Sequence, residues 1–524
     1  MPPQIRRPQL RDEHGAAERS RAELRLARLT PKIAILKTAR NSVNIVLIST
    51  YELGRQPFGL ASPAAWLRKN SYGVTCFDLS RQQLDESAVR GAQLIAIYLP
   101  MHTATRLAAK LLPRLRELSP RAHFCCYGLY APMNAEYLRS LGVTSILGGE
   151  FERQLVRLAE RLAADGTSPN HIQQEPISLE RLRFELPDRS GLPAMDKYAH
   201  LVVPGSGFRI VGSTEASRGC KHVCRHCPIV PVYKGAFRIV QRDVVLQDIR
   251  QQVAAGAQHI SFGDPDFFNG IRHAIELMKE FHREFPNVTY DVTIKIEHLR
   301  KYESQLPNLK ETGCLFVISA VESLDDNVLR VLEKGHTRED FLQVVRAFRA
   351  LGLTLHPTFV PFTQWTTFES YLDLLRTLHQ EELVENVAPV QLGIRLLIPE
   401  GSRLLELAEV RGNVLPFDAE SLFYPWRQSD PRLDALSETV QAVAAEADRK
   451  KQSRAEAFER IWKAAHAAAD LQAPEIRLPE RSVAIPFLSE PWYCCAEPTR
   501  EQFVSIGQVP IKREEPVAAA GGYV

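Results

Sequence analysis

Long hydrophobic runs are missing from this chain of 524 residues. None approaches the roughly 18 residues that a helix needs to cross a bilayer. The longest, such as Leu94-Ile95-Ala96-Ile97-Tyr98-Leu99, suit buried strands. An apolar h-region is missing near the start, which counts against a secretory signal. No internal repeat of roughly 20–50 residues recurs, which argues against a solenoid or propeller. A general excess of basic charge is missing too. Residues 1–40 hold 10 Lys/Arg against 4 Asp/Glu, but the remainder holds 55 against 58. The body is therefore not expected to be a basic nucleic-acid platform. Cysteine is scarce and unevenly placed: Cys76, Cys125, Cys126, Cys220, Cys224, Cys227, Cys314, Cys494 and Cys495. A disulfide-stapled secreted domain would be short and would use cysteine evenly. The expected compartment is a reducing cytoplasm, where thiols are buried, metal-bound or catalytic.

What is present looks globular. The chain is 45% hydrophobic and 24% charged, ordinary for a folded protein. At roughly 100–200 residues per domain it has room for three or four domains. Residues 1–40 are Arg-rich without a strong apolar face and read as a flexible extension. Asp12, Glu13, Glu18 and Glu23 count against a transit peptide. Residues 41–165 alternate strand and helix patterns. Strands are expected over Val43–Ile48, Gly73–Phe77, Gln93–Leu99, Ala122–Tyr127 and Ser145–Leu147. That order predicts a flavodoxin- or Rossmann-like parallel sheet. Ligands bind such sheets at the strand C-termini, which places Tyr51–Pro57, Leu99–Thr103, Gly128–Met133 and Gly148–Glu150 at a site.

Residues 166–205, rich in Pro and polar side chains, read as a linker. A second alternating block occupies 206–415. Its strands are expected over Phe208–Thr214, His259–Phe262, Thr289–Ile294, Cys314–Ser319, Thr354–Phe359 and Val390–Leu397. Six βα units suit a partial (β/α)6 barrel with its chemistry at the strand C-termini. Residues 416–475 contain an Ala-, Glu- and Lys/Arg-rich stretch that predicts one or two long helices, and 476–524 form an irregular tail. The fold class is thus α/β.

The first strand of the second block runs into Ser217-Arg218-Gly219-Cys220-Lys221-His222-Val223-Cys224-Arg225-His226-Cys227-Pro228. A zinc ribbon needs four closed ligands. Three thiolates hold an iron–sulfur cluster with one iron open to chemistry. Structural zinc with His222 or His226 as fourth ligand is the competing reading.

This trio, placed after the first barrel strand, resembles the signature of radical S-adenosylmethionine (SAM) enzymes. The resemblance covers about 205–410. It implies that Cys220, Cys224 and Cys227 bind a 4Fe–4S cluster whose open iron takes the amino and carboxylate groups of SAM. It also implies one-electron cleavage of a carbon–sulfur bond, an electron donor such as flavodoxin or ferredoxin, and a small-molecule substrate, with no nucleic-acid or membrane partner. His226 departs from the pattern, since an apolar aromatic usually precedes the last cysteine.

Further positions fit the resemblance. The run Phe262-Gly263-Asp264-Pro265-Asp266 matches the stretch that receives the SAM amino group. Gly263, Asp264 and Asp266 are the candidates, and a solvated acidic loop is the alternative. Ser319-Ala320-Val321-Glu322-Ser323 and Lys334-Gly335-His336-Thr337 resemble the family's Glu-Ser and Lys-Gly-x-Thr elements, which puts Glu322 and Ser323 at the SAM ribose. Arg395, within an apolar run, needs an anion. The SAM carboxylate and a structural Asp or Glu are both open.

Residues 41–165 resemble the cobalamin-binding domain that precedes some radical SAM barrels, including the Leu147-Gly148-Gly149-Glu150 turn. The usual Asp-x-His-x-x-Gly is absent. Ser49-Thr50-Tyr51-Glu52-Leu53-Gly54 stands in its place, so cobalamin either binds without a protein histidine or does not bind. Cys125 and Cys126 read as buried small hydrophobes.

The tail carries Pro491-Trp492-Tyr493-Cys494-Cys495-Ala496-Glu497-Pro498. Two adjacent thiolates are good ligands for a soft electrophile. Chance pairing is the alternative, but Trp492 and Tyr493 favour a packed position. The segment looks like the ending of CUAEP/CCAEP-tail radical SAM proteins, some of which carry selenocysteine where Cys495 stands. A related RCCLKC-tail group includes arsinothricin-pathway enzymes that transfer the 3-amino-3-carboxypropyl group of SAM to trivalent arsenic. The resulting expectation is a radical SAM enzyme acting on a small, soft-element substrate held by Cys494 and Cys495. A cobalamin-dependent radical SAM methyltransferase and a non-catalytic, metal-stabilised binding protein are the alternatives.

Overall fold

The computed structural model describes residues 43–165, 176–478 and 485–490. The N-terminal layer is a parallel sheet of β1 (Asn44–Ser49), β2 (Gly73–Asp78), β3 (Leu94–Tyr98), β4 (His123–Tyr127), β5 (Ser145–Gly149) and β6 (Ile177–Ser178), in the order β2-β1-β3-β4-β5-β6. Period-two alternation sends each strand's side chains to both faces. In β1, Val46 and Ile48 join one core while Ile45 and Leu47 join the other. Helix His102–Leu118 covers the first face through Ala104, Ala108 and Leu112. Helices Phe58–Lys69 and Glu152–Asp165 cover the second through Leu60, Ala64, Leu155 and Leu158. The same alternation separates Cys126 and Cys125 onto opposite faces, both fully buried. Burial pushes both thiols well up, so they are inert apolar filling.

The second block is a curled half-barrel. Its strands are β7 (His200–Val203), β8 (Gly207–Thr214), β11 (His259–Phe262), β12 (Thr289–Thr293), β13 (Cys314–Glu322), β14 (Thr354–Phe359) and β15 (Phe487–Leu488). They run in the order β14-β13-β12-β11-β8-β7-β15, with β8 and β11–β14 parallel. A small ribbon of β9 (Ser217–Gly219) and β10 (Phe237–Ile239) stands over the C-terminal end of β8.

Two expectations need correction. The linker is not without strands. It supplies β6 to the N-terminal sheet, and β7 hairpins onto β8. The sixth barrel strand over Val390–Leu397 does not form. Pro389–Gly393 is a 3-10 turn, and only one parallel bridge, Phe362 to Arg395, continues the sheet. Pro389 has no amide to donate to a ladder. The carbonyls there find side chains instead: Tyr371 donates to Leu392, and Ser437 and Gln441 to Gly393.

The Ala/Glu-rich stretch forms two helices, Pro431–Lys450 and Arg454–Ala468. Asp430 caps the first, and a Ser453/Glu456 capping box opens the second. Among the described residues no helix is long and apolar enough to cross a membrane.

Candidate active site

The C-terminal ends of both sheets face a common cavity of about 280 Å³. From the N-terminal layer come Glu52, Leu53 and Arg55, then Pro100 and Met101, Leu129 and Tyr130, and Gly149. Each belongs to a loop that the strand order marks as a ligand site. From the half-barrel come all three cysteines of the trio, with Gly263, Asp264, Asp266, Glu322 and Lys334.

Gly219 sets the path of the cysteine loop. Its φ is +71°, and an added Cβ would lie 2.4 Å from a Tyr233 ring carbon and 2.6 Å from the Ala236 carbonyl oxygen. Only glycine avoids both problems. The chain then turns through Cys220, Cys224 and Cys227, none of them in a disulfide. Burial pushes the Cys220 thiol up to about 11, and a metal ion bound there would reverse that by taking the thiolate directly. Three thiols on one cavity, with no fourth cysteine in its lining among the described residues, suit a cluster with an open iron. A competing set also exists. Cys220, His222 and Asp266 present ligand atoms within 4.8 Å of one another.

The acidic loop after β11 is not solvated. Asp264 accepts from Ala216 N at 2.9 Å and Ser217 Oγ at 2.5 Å. Burial pushes its carboxyl up to about 7 against those hydrogen bonds. Asp266 caps the short turn at Phe268 and pairs with His298 at 2.6 Å and His222 at 3.2 Å. Burial would raise its carboxyl, but the two histidines hold it low. The expected ammonium acceptors therefore already tie the cysteine loop to the barrel. Gly263 sits beside Arg55, whose Nη1 would lie 3.5 Å from an added Cβ.

Glu322 ends β13 with φ +71°. Its carboxylate meets His226 Nε2 at 3.1 Å and Lys334 Nζ at 3.3 Å. Burial would raise it, but Lys334 and His226 hold it at about 2. His226, in the position expected for an aromatic ring, is thus part of a Lys–Glu–His chain along the cavity wall. Ser323 does not join the cavity lining; its hydroxyl accepts from Asp325 N at 3.0 Å. Arg395 is also placed elsewhere. It pairs with Asp434 at 2.5 Å, donates to the Trp426 carbonyl and stacks on the Trp426 ring. Among the described residues, the Asp434 carboxylate is the anion it meets.

Sequence reasoning did not single out Arg218 for a role. Its guanidinium, 7% exposed, meets Glu152 at 2.7 Å, Glu215 at 2.8 Å and Glu150 at 3.4 Å. It also lies over the rings of Phe58, Phe151 and Phe184. Glu150 and Glu152 come from the N-terminal layer, so this hub joins the two halves beside the cysteine loop. Its signal was an arginine two residues before the first cysteine of the trio, with Glu215 the one partner near in sequence.

The N-terminal layer offers cobalamin little of what a protein-ligated corrin needs. No histidine stands in the loop after β1. The Gly148–Gly149 turn is filled by its own chain, since added Cβ atoms would meet Pro132 at 2.3 Å and the Ser178 carbonyl oxygen at 2.2 Å. The rings of Tyr98, Tyr127 and Phe151 pack together beneath it, with Tyr127 donating to the Gly59 carbonyl. Cys494 and Cys495 lie outside the described residues.

Residues 214–379 match the Radical SAM superfamily. Curated relatives include the tRNA-2-methylthio-N(6)-dimethylallyladenosine synthases of Oceanobacillus iheyensis, 27% identical over 142 residues, and of Pelobacter propionicus, 27% identical over 218. The aligned regions cover 25% and 38% of this chain. The chain spans 26% and 47% of those proteins' own lengths. Solved structures of similar fold include the cobalamin-dependent S-adenosylmethionine radical enzyme OxsB, at 15% identity and TM-score 0.57, covering 78% of this chain and 67% of that one. The radical S-adenosylmethionine methyltransferase TsrM from Kitasatospora setae has 17% identity and TM-score 0.54, covering 70% and 76%. The match to the Radical SAM superfamily thus spans the half-barrel from the end of β8 to helix Phe368–Gln380.

Proposed function

We propose that the protein is an enzyme that binds a 4Fe–4S cluster through Cys220, Cys224 and Cys227 and reductively cleaves SAM to act on a small substrate. The observation that carries this is the meeting of those three thiols on one cavity at the barrel's C-terminal end. When bound, the cluster supplies the single electron that breaks a carbon–sulfur bond of SAM. The chain's own residues do the rest. Asp264 and Asp266 fix the loop after β11 against the cysteine loop, with Gly263 on the cavity wall. Glu322, held ionised by Lys334 and His226, offers an acceptor of fixed charge to the ribose hydroxyls. The apolar rings of Phe58, Phe151 and Tyr98 limit water at the N-terminal side.

We assign the substrate-holding role to the Cys494–Cys495 dithiol, with a soft-element substrate of the arsenic or selenium type. Support comes from where the tail is tethered. The β15 strand pairs with β7, and Ser489 and His200 bond each other. Glu490 is held by the Tyr51 hydroxyl and by Arg81 at 3.0 Å. Gly54, with φ +66°, leaves room for this carboxylate, because an added Cβ would fall 2.2 Å from Glu490 Oε2. Tyr51 directly precedes Glu52 on the cavity wall. Cys494 is four residues past Glu490, a reach of at most about 14 Å.

A second reading is cobalamin-dependent methyl transfer. It is favoured by the fold likeness to OxsB and TsrM across both halves and requires cobalamin without a protein imidazole. The test is to identify the SAM fragments released after anaerobic reduction. Deoxyadenosine and methylthioadenosine separate the two cleavage modes. Cys495→Ser should keep cluster assembly and SAM binding but lose product, because a hydroxyl is a hard, un-ionised ligand. Normal turnover by Cys494→Ser/Cys495→Ser would remove the dithiol from the account.

A further inference from the structure

The charged groups around the cavity are almost all paired within the protein. Arg218 takes Glu215, His226 and Lys334 take Glu322, His222 takes Asp266, and Lys295 takes Glu297. Two charged side chains on the cavity wall have no side-chain hydrogen bond or ion pair among the described residues: Glu52, whose Oε2 is buried, and Arg55. They have opposite charges and share one tight turn.

The turn is unusual. Arg55 N donates to the Glu52 carbonyl at 2.8 Å. The two central residues, Leu53 and Gly54, both have positive φ, +49° and +66°. This is the sense of a type I′ turn, in which the first and fourth Cα atoms lie within about 7 Å. A leucine is sterically disfavoured in the left-handed region. Backbone strain of this kind persists where the surroundings hold it and clusters at ligand sites. Glu490 and Tyr51 supply that hold from outside. Although their Cα atoms are neighbours, Glu52 and Arg55 do not close on each other. Arg55 reaches across to Gly263 at the end of β11 and towards Glu215 at the end of β8, while Glu52 stays half-buried on the wall with its Oε2 covered. Burial and the nearby Glu215 raise the Glu52 carboxyl well above its ordinary range, and Arg55 opposes this. An ammonium group arriving beside Glu52 would relieve the same penalty.

We propose that Glu52 and Arg55 form a clamp for a small zwitterion of the amino-acid type, with its ammonium at Glu52 and its carboxylate at Arg55. This names the substrate class for the reaction proposed above and rests on that reading for its catalytic meaning. A carboxylate suits Arg55 because a guanidinium holds it through two parallel hydrogen bonds. The same loop is where a cobalt-ligating histidine would stand, so the clamp and a protein-ligated cobalamin exclude each other at this position.

The test is binding to the full chain loaded with cluster and SAM, using three probes: L-alanine, lactate and ethanolamine. L-Alanine should bind about tenfold more tightly than either single-charge probe. Arg55→Met and Glu52→Gln should each weaken L-alanine binding about tenfold while SAM affinity changes less than about twofold. Two results would overturn the proposal: no preference for the zwitterion, or wild-type L-alanine affinity in both variants. A third is loss of SAM affinity in Arg55→Met, which would show that the pair grips SAM itself. The same titration on Cys220→Ala/Cys224→Ala/Cys227→Ala separates the two readings. A retained zwitterion preference there, in a chain whose wild type holds no cluster, would support the clamp while the radical reading fell.

Discussion

Arg218→Met is the sharpest test of how the two halves are joined. The guanidinium is 7% exposed and faces three carboxylates, two of them wholly buried. Methionine keeps much of the apolar stem that lies against Phe58, Phe151 and Phe184 but removes the charge. Breaking a buried pair by removing one partner costs about 3–5 kcal/mol, because the remaining charge is uncompensated. At about 2–4 °C per kcal/mol this is a fall of about 6–20 °C in the unfolding midpoint. The assay is thermal unfolding of the cluster-free chain at several pH values, which avoids stabilisation by bound cofactors. The loss should depend on pH in a defined direction. Burial already raises the Glu150 and Glu215 carboxyls, and Arg218 is what pulls them back. A carboxyl raised in the folded state binds its proton more tightly there than in the unfolded chain. Its contribution is therefore favourable at low pH and is lost as pH rises through its folded value. Without Arg218 these values rise further, so Arg218→Met should be nearly tolerated near pH 5 and most damaging near pH 8. Glu150→Gln in the same background should recover part of the loss. A midpoint within about 2 °C of wild type at pH 8 would refute the hub.

Other outcomes follow from single residues. Burial pushes Asp264 up to about 7, so wild-type stability should fall as pH rises from about 4 to 7, by at most about 4 kcal/mol. Asp264→Asn should flatten that dependence in a pH series of unfolding midpoints. Gly219→Ala forces a Cβ into Tyr233 and the Ala236 carbonyl at φ +71°. It should cost about 2–5 kcal/mol and lower iron uptake, read by metal analysis. Glu490→Ala removes the tether to Tyr51 and Arg81. It should leave SAM cleavage intact and reduce only product formation, read by quantifying deoxyadenosine or methylthioadenosine against product.

The parallel layers were legible because apolar runs of five or six residues leave little choice in a doubly covered sheet. β11 and β14 coincide with the predicted His259–Phe262 and Thr354–Phe359, and β3 and β4 fall inside the predicted Gln93–Leu99 and Ala122–Tyr127. The run Val390–Leu397 misleads because hydrophobicity alone does not distinguish a strand from a buried irregular segment. Pro389 and Gly393 were the warnings. The cysteine trio could be read as a candidate site because its three thiols are close in sequence, and the fold brings them to one cavity. Partners far apart in sequence were not. Glu150 and Arg218 lie 68 residues apart, and Tyr51 and Glu490 lie 439 apart. Arg395 shows the same limit: an anion was required, but only the fold reveals that Asp434 supplies it. The Glu52–Arg55 turn could be placed at a strand end but not read as unpaired, since that depends on what every neighbour has already taken.

The central claim is that Cys220, Cys224 and Cys227 hold a cluster that cleaves SAM. The most direct measurement is iron, acid-labile sulfide and zinc content of anaerobically reconstituted chain, with SAM cleavage read on the same sample. About four irons and four sulfides per chain are expected, with loss of cleavage in each of Cys220→Ala, Cys224→Ala and Cys227→Ala. One zinc per chain without labile sulfide, or full cleavage in any one of the three variants, would contradict it.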